Sequence, residues 1–328
     1  MLKALADWAL RLARRVVLAV ARLGPVPRHV AFIMDGNRRF ARKLNLQPGD
    51  GHRLGFKRLE ETLDWCMQLG IQVVTVYAFS IENFKRPKDE VDILMDLAER
   101  KFAEFATKSD LIEKHGISVR VVGNVDMLPE RVYRAACKVT AETRQNTKAI
   151  LNICCPYTAR NEMANAISEV VAGAQRGDIR DTDICEEAIE KCLYTEDCPP
   201  VDILVRTSGE ARLSDFLLWQ VSRDCMMHFL DILWPEFSFW DMLPILLNFQ
   251  ANYARLEASR AEARIRAAQS IDSLDAATAC TGRGGELIHR TGPSVEDELA
   301  RTQRLSNFYT KKKQLQQLCS FIFGTKRH

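Results

Sequence analysis

Short runs of β-branched and aromatic residues alternate with longer helical stretches through most of this chain, and that alternation limits the fold more than any other feature. HVAFIMD (29–35), QVVTVYAFS (72–80), ISVRVVG (117–123), AILNICC (149–155), VDILVR (201–206) and MMHFLDI (226–232) have the length and composition of buried strands. Helical stretches are expected near 51–69, closed by Gly70, and at 88–108, opened by Pro87 with Asp89 and Glu90 in the first turn. Others are expected at 129–146, 158–173 and 182–191, with a short one around LSDFLLWQ (213–220). Strands separated by helices of this length imply βαβ units. The predicted fold class is α/β, a central mainly parallel sheet flanked by helices, over residues 25–250. An amphipathic helix over 1–24 precedes it, and a helical extension over 251–328 follows.

Charge is divided along the chain. Residues 1–30 hold six basic side chains and one acidic, and residues 251–328 hold thirteen and eight, so a chain of net charge +3 has an acidic centre. That balance argues against a dedicated nucleic-acid binder, whose surface is strongly basic. Ten cysteines form no C-x-x-C pair, and Cys66, Cys154 and Cys155 sit in apolar runs, the usage of a reduced, cytosol-facing protein. No run of about 18 apolar residues is present to span a bilayer. In the first helix Leu5, Trp8, Ala9, Leu12, Val16 and Val20 share one face, interrupted by Arg11, Arg14, Arg15 and Arg22. This pattern suits a helix lying in a lipid headgroup layer, a helix packed on the body, or a transit peptide.

Ligands of parallel sheets bind beyond the carboxyl ends of the strands. The first strand ends in Asp35-Gly36-Asn37-Arg38-Arg39, the second in Ser80-Ile81-Glu82-Asn83-Phe84-Lys85-Arg86, and the VDILVR strand in Arg206-Thr207-Ser208-Gly209-Glu210-Ala211-Arg212-Leu213-Ser214. Guanidinium forks, small hydroxyls and backbone-permissive Gly or Asn are the parts of a phosphate site. No Walker motif and no G-x-G-x-x-G is present, so a diphosphate on some molecule other than a nucleotide is favoured. Asp35 stands beside this basic set. Its carboxylate suits Mg²⁺ shared with phosphate oxygens, a helix cap, or an ion pair with Arg38 or Arg39.

HVAFIMDGNRRFA, the Gly-His at 51 and 52, VYAFSIENFKRPKDEV (76–91), DILVRTSGEARLSDFLLWQ (202–220) and LWPEF (233–237), in this order, resemble the cis-prenyltransferases over residues 25–250. Within that family the chain is most similar to eukaryotic catalytic subunits. The resemblance implies repeated condensation of isopentenyl diphosphate onto an allylic diphosphate, farnesyl diphosphate, with a cis double bond each round. The product would be a polyprenyl (dehydrodolichyl) diphosphate for dolichol synthesis and protein glycosylation. It implies that Asp35 binds Mg²⁺ at the allylic diphosphate. Gly36, Asn37, Arg38, Arg39 and Arg86 would cradle that group, with Arg39 also reaching the second substrate. Arg206, Arg212 and Ser214 would hold isopentenyl diphosphate. His52 and Asn83 match catalytic positions, Asn83 orienting the proton to be lost; for His52 a structural or capping role is the alternative. Phe79 and Phe84 are candidates for the hydrocarbon's path, or simply core.

Three departures from the family pattern bear on function. Arg38 stands where bacterial members have Gly, and Pro48 stands where many have an Arg that contacts diphosphate. Cys225 stands where homodimeric members carry a Glu that joins the neighbouring site. Asp224 adjoins it, but one place along a strand faces the opposite side. The Arg-x-Gly tail those members use is missing from its expected place after WPEF; Arg283-Gly284-Gly285 fits the letters much later. The resemblance therefore implies the active half of a hetero-complex whose partner, a Nogo-B receptor-like subunit, supplies the tail. It also implies a peripheral protein on the cytosolic face of the endoplasmic reticulum membrane. In the extension, Ser294 is a candidate cap for a helix beginning with Glu296, Asp297 and Glu298, and Lys311 to Lys313 read as a solvated face, with complex assembly or an anionic membrane as alternatives. A self-sufficient homodimer, a non-catalytic assembly subunit and an RNA- or lipid-binding protein are the competing readings.

Overall fold

The computed structural model describes residues 2–107, 110–278 and 295–325. Its strands are β1 (His29–Ile33), β2 (Val73–Tyr77), β3 (Ile117–Val122), β4 (Ala149–Cys154), β5 (Ile203–Arg206) and β6 (Met226–Phe229). The helices are α1 (Leu2–Ala21), α2 (Asn37–Lys43), α3 (Pro48–Leu69), α4 (Lys88–Thr107), α5 (Asp110–His115), α6 (Glu130–Thr143), α7 (Ala159–Gln175), α8 (Glu186–Glu190), α9 (Phe239–Thr278) and α10 (Val295–Thr325). All strand pairs are parallel, in the order β3-β4-β2-β1-β5-β6. The chain leaves β1 toward β2 and later returns on its other side as β5. That reversal makes the carboxyl ends of β1 and β5 a topological switch point, where an open α/β sheet has room for a ligand.

By contact density the chain forms two units, residues 1–164 with 197–251, and residues 165–196 with 252–326. In the first, every residue of β1 is buried, as a central strand covered on both faces requires. Phe32 stands against the stacked pair Trp234 and Phe237, and Trp65 of α3 closes the same cluster. α1 buries Leu18 and Ala21, and Gln250 donates to the carbonyls of Ala21 and Pro25 beyond its end. Leu12, Val16 and Val20, the expected apolar face, are exposed. The side chains of Leu5, Trp8 and Ala9 lie outside those described. No described helix is long and apolar enough to cross a membrane.

Several expectations are corrected. Residues 213–220 are not helical, because Ser214, Asp215 and Leu217 have φ of +49°, +62° and +46°, which a right-handed helix cannot accommodate. The stretch at 182–191 yields only a 3-10 turn at Asp181–Asp183 and the short α8. Asp224 and Cys225 precede β6, so alternation along a strand does not decide their direction. Residue 250 falls inside α9, which runs on without a break. In the second unit the lysine run is not simply solvated. Lys311 pairs with Asp178 at 2.7 Å, Lys313 pairs with Glu196 at 2.9 Å, and Lys312 donates to the Lys191 carbonyl. With Arg304 bidentate on the buried Asp183, and Phe308 seated on Gly173, these contacts fix α10 within its unit. Ser294 and Arg283-Gly284-Gly285 lie outside the described residues.

At the amino end of β1 a buried polar chain sets an acid limit on stability. His29 Nδ1 donates to the Pro199 carbonyl at 2.8 Å, so Nε2 must accept from Thr75 Oγ1, also at 2.8 Å, and Asn152 Nδ2 donates to the same hydroxyl oxygen. Burial pushes the His29 pKa down from 6.5 to about 4, against the raising effects of the Pro199 carbonyl and Asp202. A depressed histidine pKa means the unfolded chain takes up protons first. Its contribution to stability is complete above pH 6.5 and is lost as pH falls toward 4, on the order of 3 kcal/mol in all. Thermal melts from pH 7 to 4 are expected to show a fall in Tm that is shallower in His29→Gln.

Candidate active site

Beyond the switch point lies a cavity of about 940 Å³, and all eleven site residues expected from the sequence line it: Asp35, Gly36, Asn37, Arg38, Arg39, His52, Asn83, Arg86, Arg206, Arg212 and Ser214. Gly36 makes the turn off β1, at φ +103° and packed so closely on Leu233 that a Cβ would lie 2.9 Å from its Cδ2. The Asp35 backbone is held by Thr207, whose Oγ1 donates to the Asp35 carbonyl at 2.8 Å, and by Trp234 N on the same oxygen at 2.9 Å. The Asp35 carboxylate accepts from Gly36 N at 2.7 Å and from Arg206 Nη2 at 2.9 Å, with Arg39 4.0 Å away. Its ion-pair partner is thus chiefly Arg206; Arg38 turns instead to Glu90, at 3.5 Å.

Arg206 is buried, and its Nη1 also donates to Ser214 Oγ at 2.7 Å and to the Arg212 carbonyl. Arg39 donates to Ser208 Oγ and lies 3.6 Å from Glu210, which also pairs with Arg212. Arg86 pairs with Glu90 at 2.7 Å. Glu90 and Glu210 were missed by the sequence reading; the i,i+4 spacing of Arg86 and Glu90 was the available signal. Each carboxylate holds two arginines where a diphosphate can displace it. Asn83 Oδ1 accepts from Ser80 N at 3.0 Å, closing a capping box, so what Asn83 has left to offer a ligand is its NH₂ donor.

Three buried polar atoms in this cavity wall have no partner: Asn37 Oδ1, His52 Nε2 and Arg206 Nε. Buried polar groups in folded proteins are mostly satisfied, and these three sit where a ligand or water in the cavity can complete the set. His52 is held near pKa 4, first by burial and then by Arg86, with Glu90 opposing and Arg38 adding, so the ring is neutral at physiological pH. No group of three or more His, Cys, Asp or Glu among the described residues could hold a metal by itself. The half-exposed Asp35 carboxylate fits a hard cation that takes its remaining oxygens from phosphate and water.

Away from this polar end the cavity runs between α3 and α4, past Phe56, Leu59, Leu94, Met95, Phe102 and Phe105. Phe79 lines it, whereas Phe84 packs edge-on against Phe79 from outside, with centroids 4.9 Å apart. Lys101 reaches across from α4, 4.2 Å over the Phe56 ring and paired with Glu104.

One end of this cavity neutralises phosphate charge and the other takes alkyl surface out of water, a division suited to a transferase of prenyl diphosphates. Residues 33–257 match the family model described as "Putative undecaprenyl diphosphate synthase". The chain is 47% identical over 254 residues to the human dehydrodolichyl diphosphate synthase complex subunit DHDDS, covering 77% of this chain and 76% of that one. It is 46% identical over 239 residues to a Thermococcus kodakarensis tritrans,polycis-undecaprenyl-diphosphate synthase described as geranylgeranyl-diphosphate specific, covering 73% and 90%. Its fold is similar to that of lavandulyl diphosphate synthase from Lavandula x intermedia, crystallised with dimethylallyl diphosphate, with a TM-score of 0.63 at 30% identity over 69% of this chain and 95% of that one. The chain belongs to the cis-prenyltransferase family, and its activity is cis-prenyl chain elongation.

Proposed function

We propose that residues 25–250 form the catalytic body of a farnesyl diphosphate-specific enzyme that adds isopentenyl units to make dehydrodolichyl diphosphate. The observation that carries this reading is the junction of the arginine cluster with the α3–α4 channel. A diphosphate seated at the α2 end has an apolar path for its tail. Gly36, Asn37, Arg38, Arg39 and Arg86 take the allylic diphosphate, the arginines exchanging Glu90 and Glu210 for phosphate oxygens. Arg206, Arg212 and Ser214, with Arg39, take isopentenyl diphosphate and aim its alkene at the allylic carbon. Mg²⁺ held by Asp35 would stabilise the charge that builds on the departing diphosphate. Neutral His52 leaves Nε2 open to a ligand, and the Asn83 amide keeps its NH₂ donor; neither is a base strong enough to remove the substrate proton unaided.

The chain acts as one half of a hetero-complex, with a Nogo-B receptor-like partner supplying an Arg-x-Gly tail. Cys225 in place of the expected Glu supports this, as does the edge strand β6, which leaves Met227 and Phe229 exposed. The human relative is itself named as a complex subunit. The exposed Leu12–Val16–Val20 stripe of α1, flanked by Arg15 and Arg22, supports peripheral docking on the cytosolic face of the endoplasmic reticulum.

The test is incubation of the full chain with labelled isopentenyl diphosphate, Mg²⁺ and either farnesyl or geranylgeranyl diphosphate, with and without the partner. Extractable long-chain product is expected with farnesyl diphosphate and rises with the partner. Preference for geranylgeranyl diphosphate would overturn the allylic assignment, and full activity alone would overturn the hetero-complex.

A further inference from the structure

The loop that carries Arg212 and Ser214 holds two adjacent non-glycine residues, Ser214 and Asp215, in left-handed backbone conformation. Such residues persist only where their surroundings over-determine them. At Ser214 two bonds do this: its carbonyl accepts from Tyr77 Oη at 3.2 Å and its Oγ accepts from Arg206 Nη1 at 2.7 Å. At Asp215 there are three, all to the first turn of α7. Oδ1 accepts from Arg160 N at 3.1 Å, Oδ2 accepts from Arg160 Nε at 2.8 Å, and the carbonyl accepts from Ala159 N at 2.8 Å. The Asp215 side chain is only 14% exposed.

We propose that Asp215 is the positioning residue of the isopentenyl diphosphate half-site. By capping α7 from a loop 55 residues away, it fixes the backbone from which Ser214 and Arg212 meet Arg206. On the α7 side the bonds take up the N–H groups of Ala159 and Arg160, which a helix start presents to any acceptor, water included. What the bonds stabilise is the loop. Arg39, Arg38 and Arg86 are anchored elsewhere, on Ser208 and Glu90, so the allylic half-site does not depend on Asp215. The inference rests on the assignment of Arg206, Arg212 and Ser214 to isopentenyl diphosphate made above.

Steady-state kinetics of the full chain, in the assembly that turns over, test it. Asp215→Ala is expected to raise KM for isopentenyl diphosphate about tenfold while KM for the allylic substrate stays within about twofold. Asp215→Asn keeps an acceptor for Arg160 N and is expected to recover most of that loss. Asp215→Gly removes both carboxylate bonds in a residue that tolerates positive φ; it keeps the test open if the alanine variant does not fold, and is expected to show the same one-sided rise. Unchanged KM values in Asp215→Gly, or an equal rise in both, would overturn the proposal. Failure of the underlying assignment looks different: the unaltered protein would give no product from isopentenyl diphosphate.

Discussion

Asp35→Asn is expected to lower turnover by roughly a thousandfold or more and to lower Tm as well. Gly36 N and Arg206 Nη2 donate to different carboxylate oxygens, so an asparagine, with one oxygen and an NH₂ donor, keeps only one of the two bonds. What goes is the formal charge, which serves two purposes. In the proposed assignment it holds the cation shared with the allylic diphosphate. It is also the counter-charge of Arg206, whose guanidinium lies beneath the cavity floor. Either substitution leaves that buried guanidinium uncompensated, a loss on the order of 3 kcal/mol, and alanine removes the remaining acceptor too. Both variants are therefore expected to be inactive and less stable, the alanine variant more so. Activity assays test the metal assignment, and thermal melts test the counter-charge. An asparagine variant with near-normal turnover would remove the metal assignment.

The sheet was legible in the sequence because its central strands are buried on both faces and read as continuous runs such as HVAFI and AILNIC; the edge strand β6, expected to be buried as well, alternates half-buried with exposed residues. The eleven candidate site residues line one cavity, most of them because they follow the carboxyl ends of parallel strands. Less legible was whatever depends on long-range partners. LSDFLLWQ has the composition of a helix, yet Tyr77, Arg206 and Arg160, distant in sequence or on another element, hold it in left-handed turns. The lysine run looked solvated because its acids, Asp178 and Glu196, are more than a hundred residues away. Asp35 showed no preference among its neighbours Arg38 and Arg39, since its main partner comes from β5.

Of the glycines of α3 only Gly51 figured in a motif, and Gly55 carries the second large effect. Gly55→Ala is expected to lower kcat/KM about a hundredfold and stability by about 1–3 kcal/mol. A Cβ at residue 55 would lie 2.0 Å from Asn37 Oδ1 and 3.1 Å from Trp234 Cδ1. Trp234 is buried, and its indole nitrogen donates to the Gly55 carbonyl at 2.8 Å, so it cannot yield. The Asn37 side chain must swing away and give up its bond to the Met34 carbonyl, or the start of α2 must shift. Either response disturbs the cavity wall at the residue next to Arg38 and Arg39. Gly49→Ala, six residues earlier in α3, meets only Ile93 Cγ2 at 3.2 Å, on a half-exposed side chain that can rotate, and is expected to change kinetics little. If Gly55→Ala and Gly49→Ala showed the same kcat/KM, the close approach of α2 to α3 would have no part in placing the diphosphate cradle.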